Sequence, residues 1–184
     1  MNHGPAGRPL VFLDRDGTII EDSGYVREAA AVRLLPGAGP AIARLNAAGH
    51  PVVVVTNQSG LARGILTEDQ YRGVARRVDE LLAAHGARLD ATSYCPHAPE
   101  ISGPCDCRKP ATGGHRRAAA ALGLPPDGAW CIGDRLTDLA PAAGFGGRGI
   151  LVLTGEGRAH EAAARAQGHL VADTLADAVA QILG

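Results

Sequence analysis

Short apolar runs alternate along the chain with longer Ala-rich segments in which apolar side chains recur at helical spacing. The apolar runs predict strands at 9–13, 51–55, 91–94, 129–132, 149–153 and, more briefly, 170–171. The segments between them predict helices at 37–49, 67–86, 112–123, 136–144, 158–167 and 174–183. Because the strands are almost continuously Val, Leu and Ile, we expect them to be buried on both faces. The alternation indicates an α/β fold with a doubly wound parallel sheet.

The composition is that of one globular domain. The 184 residues are 46% hydrophobic and 20% charged with a net charge of −1, so we expect a single domain over 1–184. Without a basic surplus, binding to nucleic acid or anionic membranes is disfavoured. No apolar run approaches the roughly 18 residues that span a bilayer, and residues 1–8 lack the apolar core of a signal peptide. We therefore expect a cytoplasmic protein.

Lysine and cysteine are scarce and unevenly distributed. The chain has 17 arginines but one lysine, Lys109, and three of its four cysteines lie within thirteen residues. Cys95, His97, Cys105 and Cys107 form two pairs separated by seven residues. Three thiolates and one imidazole are a ligand set of tetrahedral structural zinc, whereas cytosolic thiols seldom form disulfides. We predict a zinc-binding loop at about 95–107; reduced cysteines without a metal are the alternative.

Three predicted strands end in polar clusters. The runs are Asp-Arg-Asp-Gly-Thr at 14–18, Thr-Asn-Gln-Ser at 56–59 and Gly-Asp at 133–134. Open α/β sheets carry their active sites at the carboxyl ends of the strands, so these carboxylates, amides and hydroxyls would meet. Taken singly, a capped surface turn explains the first run equally well, and an ordinary turn explains the second.

In their order along the chain these residues resemble the haloacid dehalogenase superfamily of phosphotransferases. Its pattern is matched by Asp14, Asp16, Gly17 and Thr18, then Thr56, Lys109, Gly133, Asp134 and Asp138. The resemblance implies a Rossmann-like core and hydrolysis through an aspartyl-phosphate on Asp14. It also implies that Asp16 acts as general acid and base, while Thr56 and Lys109 hold phosphoryl oxygens.

The same resemblance implies a catalytic Mg²⁺. Its ligands would be the side chains of Asp14 and Asp134 and the backbone carbonyl of Asp16. Asp138 would support this site from outside the ligand set, and a structural role outside the site is the alternative. No insertion long enough for a cap domain separates the motifs. We therefore expect an open site whose access is shaped by short loops and the zinc loop.

Longer strings resemble one subfamily, the histidinol-phosphate phosphatase-related enzymes that include zinc-containing D-glycero-D-manno-heptose 1,7-bisphosphate phosphatases. The matching strings lie at 12–19, 24–26, 54–64, 94–97 and 105–110. The resemblance implies substrate contacts from Asp22, Ser23, Gly24, Tyr25, Thr56, Asn57, Gln58, Ser59, Arg108, Lys109 and Arg135. Among them, Arg108 would recognise the distal phosphate through paired hydrogen bonds.

The expected reaction is Mg²⁺-dependent removal of the 7-phosphate from such a bisphosphate, leaving a 1-phosphate for nucleotide-sugar heptose and lipopolysaccharide synthesis. Histidinol phosphate is an alternative substrate, and the anomer of the bisphosphate stays open. A nucleic-acid 3′-end phosphatase and a non-catalytic sugar-phosphate binder are rivals from other classes; an aromatic content of 3% weighs against the former. We expect a monomer, with His115 exposed at the start of a helix.

Overall fold

The computed structural model describes residues 7–184, in which six parallel strands form one sheet with helices packed on both faces. The sheet order is β3-β2-β1-β4-β5-β6. The strands are β1 (Val11–Leu13), β2 (Val52–Asn57), β3 (Ala91–Cys95), β4 (Trp130–Gly133), β5 (Arg148–Val152) and β6 (Leu170–Ala172). All adjacent strands run parallel, so the predicted α/β fold is confirmed.

Seven α-helices and two short 3-10 helices connect the strands in residues 7–184. The α-helices are α1 (Ala38–Ala47), α2 (Glu68–Ala83), α3 (Pro99–Ser102), α4 (Gly113–Ala121), α5 (Leu136–Leu139), α6 (Gly157–Ala166) and α7 (Leu175–Leu183). The 3-10 helices span Ala29–Ala31 and Ala140–Phe145. The predicted capping box is present at the start of α2, where Thr67 and Gln70 each accept the other's backbone N–H.

The sheet order puts β1 in the middle, between β2 and β4. Leu13 is level with Val54 of β2 and with Ile132 of β4. Because all three strands run in one direction, the residues that follow these positions reach the same edge of the sheet. That edge therefore collects the polar clusters that the sequence places after each strand.

Alternation along β1 divides the core between the two faces of the sheet. Val11 and Leu13 belong to a large apolar cluster that contains residues of α1, α2 and α7. Phe12 points to the other face and packs in a smaller cluster with Ala118 of α4 and with Phe145. Since β1 is buried on both sides, its backbone offers a rigid support for the residues at its carboxyl end.

Three local predictions were wrong in detail. The helix predicted over 136–144 is α5 followed by the 3-10 helix Ala140–Phe145, because Pro141 has no N–H to continue the α-helical hydrogen bonds. The short helix α3 inside the zinc loop was not predicted. His115 is only 1% exposed, contrary to the prediction. Its ring packs edge-on against the Phe12 ring, with the ring centres 4.9 Å apart.

The connections between motifs are short in the part of the chain that the structure describes. Between β1 and β2 it contains only a 3-10 helix, α1 and turns, so no cap domain is inserted there. Within residues 7–184, no helix combines the length and apolar character needed to cross a bilayer. The predicted lack of a signal peptide rests on residues 1–8, of which 1–6 lie outside the described residues.

Candidate active site

A cavity of about 710 Å³ opens at the carboxyl ends of β1 and β2 and at the start of α5. Most of the predicted site residues line it: Asp14, Asp16, Asp22, Gly24, Tyr25, Thr56, Asn57, Gln58, Ser59, Arg108, Lys109 and Arg135. Two do not. Asp134 is fully buried beside the cavity, and Ser23 is exposed on the loop after β1 without reaching the cavity wall.

Lys109 lies at the floor of this cavity between two carboxylates. Its Nζ is 2.5 Å from Asp14 Oδ1 and 2.8 Å from Asp138 Oδ1, and its side chain is only 3% exposed. Burial lowers the pKa of Lys109, but the carboxylates of Asp138 and Asp14 outweigh burial and raise the pKa above its usual value. The lone lysine is therefore a charged ammonium that contacts the predicted nucleophile. It also fixes the position of Asp138.

Asn57 holds the backbone of Lys109 rather than projecting freely into the cavity. The Lys109 N–H donates to Asn57 Oδ1 at 3.0 Å, and Asn57 Nδ2 donates to the Lys109 carbonyl at 3.3 Å. This reciprocal pair joins the end of β2 to the segment that follows the cysteine cluster. Asn57 thus anchors the chain from which Lys109 reaches Asp14.

Asp134 occupies a narrow space between two glycines. Its Oδ2 accepts the backbone N–H of Glu156 at 2.8 Å, whereas its Oδ1 is buried without a hydrogen-bond partner. A Cβ built on Gly17 would come within 2.4 Å of Asp134 Oδ2, and one on Gly155 within 2.2 Å. Burial raises the pKa of Asp134 to about 6.

The carboxylates at this edge fit a divalent cation. Oxygens of Asp14, Asp134 and Asp138 lie within 4.8 Å of one another, while Lys109 supplies one buried positive charge. Burial raises the pKa of Asp14, Lys109 lowers it, and the neighbouring carboxylates of Asp138 and Asp16 raise it further. When all three carboxylates are ionised, the cluster has more negative charge than Lys109 alone neutralises. The free oxygen Asp134 Oδ1 and this excess charge are what a hard cation such as Mg²⁺ requires.

Asp16 is held by side chains on the wall of the cavity. Arg15 donates from Nη2 to its two oxygens at 2.9 and 3.0 Å, and Gln58 Nε2 donates to its Oδ2 at 2.8 Å. The second hydrogen of Gln58 Nε2 is donated to Thr56 Oγ1 at 2.9 Å. Gln58 is 7% exposed, so it is a buried link between Asp16 and Thr56.

Arginines from two different loops form the rim. Arg135 Nη2 is 2.7 Å from Glu156 Oε1 and 3.6 Å from Asp22 Oδ2, so it bridges the loops on either side of the opening. Arg108 Nη1 donates to the carbonyl of His97 at 3.3 Å. Tyr25 is 42% exposed at the same opening. Two cations thus border a cavity whose floor already carries Lys109.

The predicted zinc ligands converge at the end of β3. Cys95 Sγ lies 3.0 Å from Cys107 Sγ and 3.6 Å from Cys105 Sγ, and His97 Nδ1 lies 3.2 Å from Cys107 Sγ. No disulfide joins any of these cysteines. Burial opposes ionisation of Cys105, but the backbone N–H of Arg108 lowers its pKa to about 7. This spacing of four donor atoms fits the ligand shell of one tetrahedral zinc ion.

Asp138 was expected to support the metal site from outside the ligand set. Its oxygens accept hydrogen bonds from Lys109 Nζ and from the Arg135 N–H, the latter at 2.9 Å. Other residues of the site escaped the sequence reasoning. Gly155 and Glu156 were not considered, although they directly follow a predicted strand as the other clusters do. Arg15 was treated only as the middle of a motif. Its contact with Asp16 depends on side-chain direction, which spacing does not reveal.

The chain is similar to known proteins in sequence and in fold. A family model described as HAD-hydrolase-like matches residues 106–178. The D-glycero-β-D-manno-heptose-1,7-bisphosphate 7-phosphatase of Haemophilus ducreyi is 39% identical over 178 residues, covering 94% of this chain and 97% of the relative.

Two solved structures extend the comparison. The D,D-heptose 1,7-bisphosphate phosphatase of B. bronchiseptica, complexed with magnesium and phosphate, matches with a TM-score of 0.84 at 38% identity, covering 96% of this chain and 98% of that one. The D,D-heptose 1,7-bisphosphate phosphatase of Burkholderia thailandensis matches with a TM-score of 0.73 at 33% identity. The match covers 96% of this chain and 99% of that one.

Together, the parallel sheet and the carboxylates gathered around Lys109 define a hydrolase of the haloacid dehalogenase-like class. Within that class, identity near 40% over almost the whole length settles the assignment. The chain belongs to the family of D-glycero-β-D-manno-heptose-1,7-bisphosphate 7-phosphatases.

Proposed function

We propose that the chain hydrolyses the 7-phosphate of D-glycero-D-manno-heptose 1,7-bisphosphate and releases the heptose 1-phosphate and inorganic phosphate. The observation that carries this proposal is the contact between Lys109 Nζ and Asp14 Oδ1 at 2.5 Å, at the floor of a cavity bordered by two further cations. A phosphate ester repels a carboxylate nucleophile, and these cations offset that repulsion. The activity for which the relatives are named supplies the substrate class.

In the proposed reaction Asp14 is the nucleophile. One of its oxygens attacks phosphorus, the bond between phosphorus and the sugar oxygen breaks, and an aspartyl-phosphate forms. Asp16 donates a proton to the departing alkoxide and then takes a proton from the water that hydrolyses the intermediate. Lys109 and the Thr56 hydroxyl hold phosphoryl oxygens during both displacements.

The Mg²⁺ is proposed to be held by the side chains of Asp14 and Asp134 and by the backbone carbonyl of Asp16. When bound, the ion neutralises negative charge on the transferring phosphoryl group. Support comes from the unpartnered Asp134 Oδ1 and from the magnesium in the B. bronchiseptica relative. In this proposal Asp138 serves the site by orienting Lys109.

Arg108 is proposed to bind the phosphate that is not transferred. Its guanidinium is partly buried at the rim and has one Nη atom engaged with the His97 carbonyl, which leaves donors for an anion. Asp22, Gly24, Tyr25 and Ser59 would contact the sugar. Arg135 would exchange its ion pairs with Glu156 and Asp22 for the substrate.

The cysteine cluster is proposed to hold a structural zinc ion. Four protein ligands would complete its shell and leave no position for a reacting water. The ion would close the 95–107 loop, whose last ligand directly precedes Arg108 and Lys109. Zinc would therefore act on catalysis through the position of these two cations.

Assays with heptose bisphosphate, histidinol phosphate and fructose 1,6-bisphosphate test this function. We expect one phosphate released per heptose bisphosphate, and a loss of at least about a thousandfold in turnover for Asp14→Asn, whose amide cannot attack phosphorus. The variant should keep the melting temperature and the zinc content of the wild type. Unchanged turnover would exclude the nucleophile, and a preference of about a hundredfold for histidinol phosphate would overturn the substrate.

The remaining expectations belong to the same proposal. We propose that residues 1–184 act as one phosphatase domain, as a monomer in the cytoplasm. A cluster of three cysteines with metal-ligand spacing is typical of proteins from reducing compartments, where thiols stay available as ligands. Sedimentation of the purified protein at the mass of one chain is the expected result, and a dimer would contradict it.

A further inference from the structure

We propose that Arg15 and Gln58 are positioning residues that hold the carboxylate of Asp16 in the direction needed for proton transfer. The inference rests on the proposed function, because it assigns a task to Asp16 in that reaction. It concerns the orientation of the Asp16 side chain and leaves the transferring phosphoryl group to Asp14 and Lys109.

Arg15 is a buried cation whose guanidinium faces its sequence neighbour. The residue is 4% exposed, and its Nε and Nη2 atoms lie 2.9–3.3 Å from the two oxygens of Asp16. A buried guanidinium needs a carboxylate partner, and the planar arrangement of its donors fixes the plane of that carboxylate. Asp16 is nevertheless 18% exposed, on the side that faces the cavity. The carboxylate is thus oriented by the protein yet accessible to a substrate.

The guanidinium is itself held by aromatic rings behind it. The central carbon of the guanidinium lies 5.7 Å from the centre of the Tyr71 ring. Tyr71 packs against Tyr94 with the ring centres 4.2 Å apart and the ring planes tilted by 36°. The Tyr94 hydroxyl donates to Glu68 at 2.6 Å, which ties this stack to the first turn of α2. Arg15 therefore cannot rotate away from Asp16 without leaving a ring face that favours the cation.

Gln58 holds Asp16 from the other side and links it to the phosphate-binding end of β2. Its Nε2 has two hydrogens, and both are used: one on Asp16 Oδ2 and one on Thr56 Oγ1. A phosphoryl group that binds the Thr56 hydroxyl would therefore have a fixed position relative to Asp16, because Gln58 links the two residues. Thr56 is buried as well, so truncating the amide leaves the Thr56 Oγ1 atom without this donor.

This arrangement should affect one part of the reaction more than the rest. An alkoxide leaving group needs a proton from Asp16 as its bond to phosphorus breaks, so the direction of the carboxylate enters that step. A p-nitrophenolate ion leaves without protonation. Loss of the two holding residues should thus slow transfer from a sugar phosphate while sparing transfer from an aryl phosphate.

The test compares Arg15→Met, which keeps most of the apolar stem, and Gln58→Leu with the wild type in rapid-mixing experiments. The first-turnover release of sugar from heptose bisphosphate should fall by about tenfold or more in each variant. The first-turnover release of p-nitrophenolate from p-nitrophenyl phosphate should change by less than about threefold, with KM for the bisphosphate nearly constant. Arg76→Met, an exposed arginine of α2, is the matched control and should leave both rates unchanged.

Two results overturn the inference. An equal loss with both substrates would mean that Arg15 and Gln58 merely support the site's structure, and no loss with either would mean that Asp16 needs no such orientation. Gln58→Leu guards against misfolding of Arg15→Met, and the melting temperature of each variant is measured alongside. Asp14→Asn tests the proposed reaction separately from the role of Arg15 and Gln58. Normal turnover by that variant would contradict the proposed function itself.

Discussion

At the scale of single residues, the closest packing in the site surrounds the carboxylate of Asp134. Gly17 and Gly155 face each other across it, both with positive φ, and Thr154 donates to the carbonyl of Gly17 at 2.6 Å. The glycines are needed twice over, for their backbone conformation and for the absence of a side chain. Two chain segments far apart in sequence thereby hold one carboxylate in a single position.

Gly155→Ala should weaken Mg²⁺ binding by about tenfold or more, because the new methyl group would occupy the space of Asp134 Oδ2. Turnover at low Mg²⁺ should fall accordingly and recover in part at high concentration. Calorimetric titration with Mg²⁺ measures the affinity directly.

Gly146→Ala is the matched control for that substitution. Gly146 has a φ of +61°, close to the +54° of Gly155, but a Cβ there meets no atom within 4 Å. Both substitutions therefore cost about 1–2 kcal/mol, because an alanine is placed in a left-handed backbone conformation. Only Gly155→Ala adds a steric clash. Equal effects of the two substitutions on Mg²⁺ affinity would refute the steric argument.

Residue identities in the site were predictable where a motif fixed them. Asp14, Thr56 and Lys109 follow predicted strands or the cysteine cluster, and the structure brings them to one cavity. The use made of other residues was not predictable. Asn57 and Gln58 were expected to contact substrate, and both line the cavity; that their amides also hold Lys109 and Asp16 was not foreseen. Spacing reports which residues share an edge, and side-chain directions depend on packing that spacing does not contain.

At the scale of elements, the 95–107 loop leads directly into two cations of the site, Arg108 and Lys109. Cys107 is adjacent to Arg108, and the carbonyl of His97 accepts a hydrogen bond from that arginine. On the outer side, Arg117 of α4 pairs with Asp106 at 2.8 Å. The loop is therefore tied to α4, to Arg108 and, through its own donor atoms, to β3.

Cys105→Ser should release the zinc and loosen the 95–107 loop, because a hydroxyl is a poorer zinc ligand than a thiolate. We expect faster amide hydrogen exchange over this loop and a fall in kcat/KM as Arg108 and Lys109 lose their support. Metal content by atomic emission and exchange by mass spectrometry measure the two effects.

Cys131→Ala supplies the comparison for the zinc experiment. Cys131 is buried in β4 and is separate from the cysteine cluster. Its removal should leave the zinc stoichiometry at that of the wild type, whereas retention of zinc by Cys105→Ser would disprove the ligand assignment.

Elements were predicted well where periodicity persists and less well where it is short. The apolar face of α2 was predictable because its periodicity persists over several turns. Its buried residues are Tyr71, Val74, Val78 and Leu82. α3 has four residues and α5 has four, which is too few for a periodic signal. Their ends depend on Pro99 and Pro141, and on contacts made by loops.

At the scale of the whole molecule, the buried His115 should make the protein sensitive to mild acid. Burial, with a smaller effect from the charge of Lys109, lowers the pKa of His115 to about 3. An unfolded chain binds a proton there below pH about 6.5, while the folded chain does not. The free energy of unfolding should therefore fall with decreasing pH between these values, by up to about 1.4 kcal/mol per pH unit from this residue.

The measurement is the slope of the unfolding free energy between pH 6.5 and 5 in urea titrations, compared with His115→Gln. The variant should be less stable at neutral pH, because it disrupts the packing with Phe12, but should show a shallower slope. Burial also lowers the pKa of His169, so only the difference from the wild type counts. His85→Gln, at an exposed histidine, should keep the wild-type slope, and identical slopes in all three proteins would refute the assignment to His115.

The overall architecture followed from the alternation of strands and helices, but the order of the strands did not. Local patterning describes each strand by itself, whereas β1 lies between β2 and β4 through pairings that cross many residues of chain. Physical reasoning from periodicity alone would have left several sheets with the same elements.

The central position of β1 ties activity to the completion of folding. The strand that carries the nucleophile occurs near the start of the chain, yet its contacts at the site lie 95 residues away at Lys109 and 137 residues away at Thr154. Contacts of such long range form late, after the loop-closure entropy has been overcome. Because Lys109 and Thr154 are synthesised long after β1, a growing chain cannot complete the site until most of the strands of the sheet have been made.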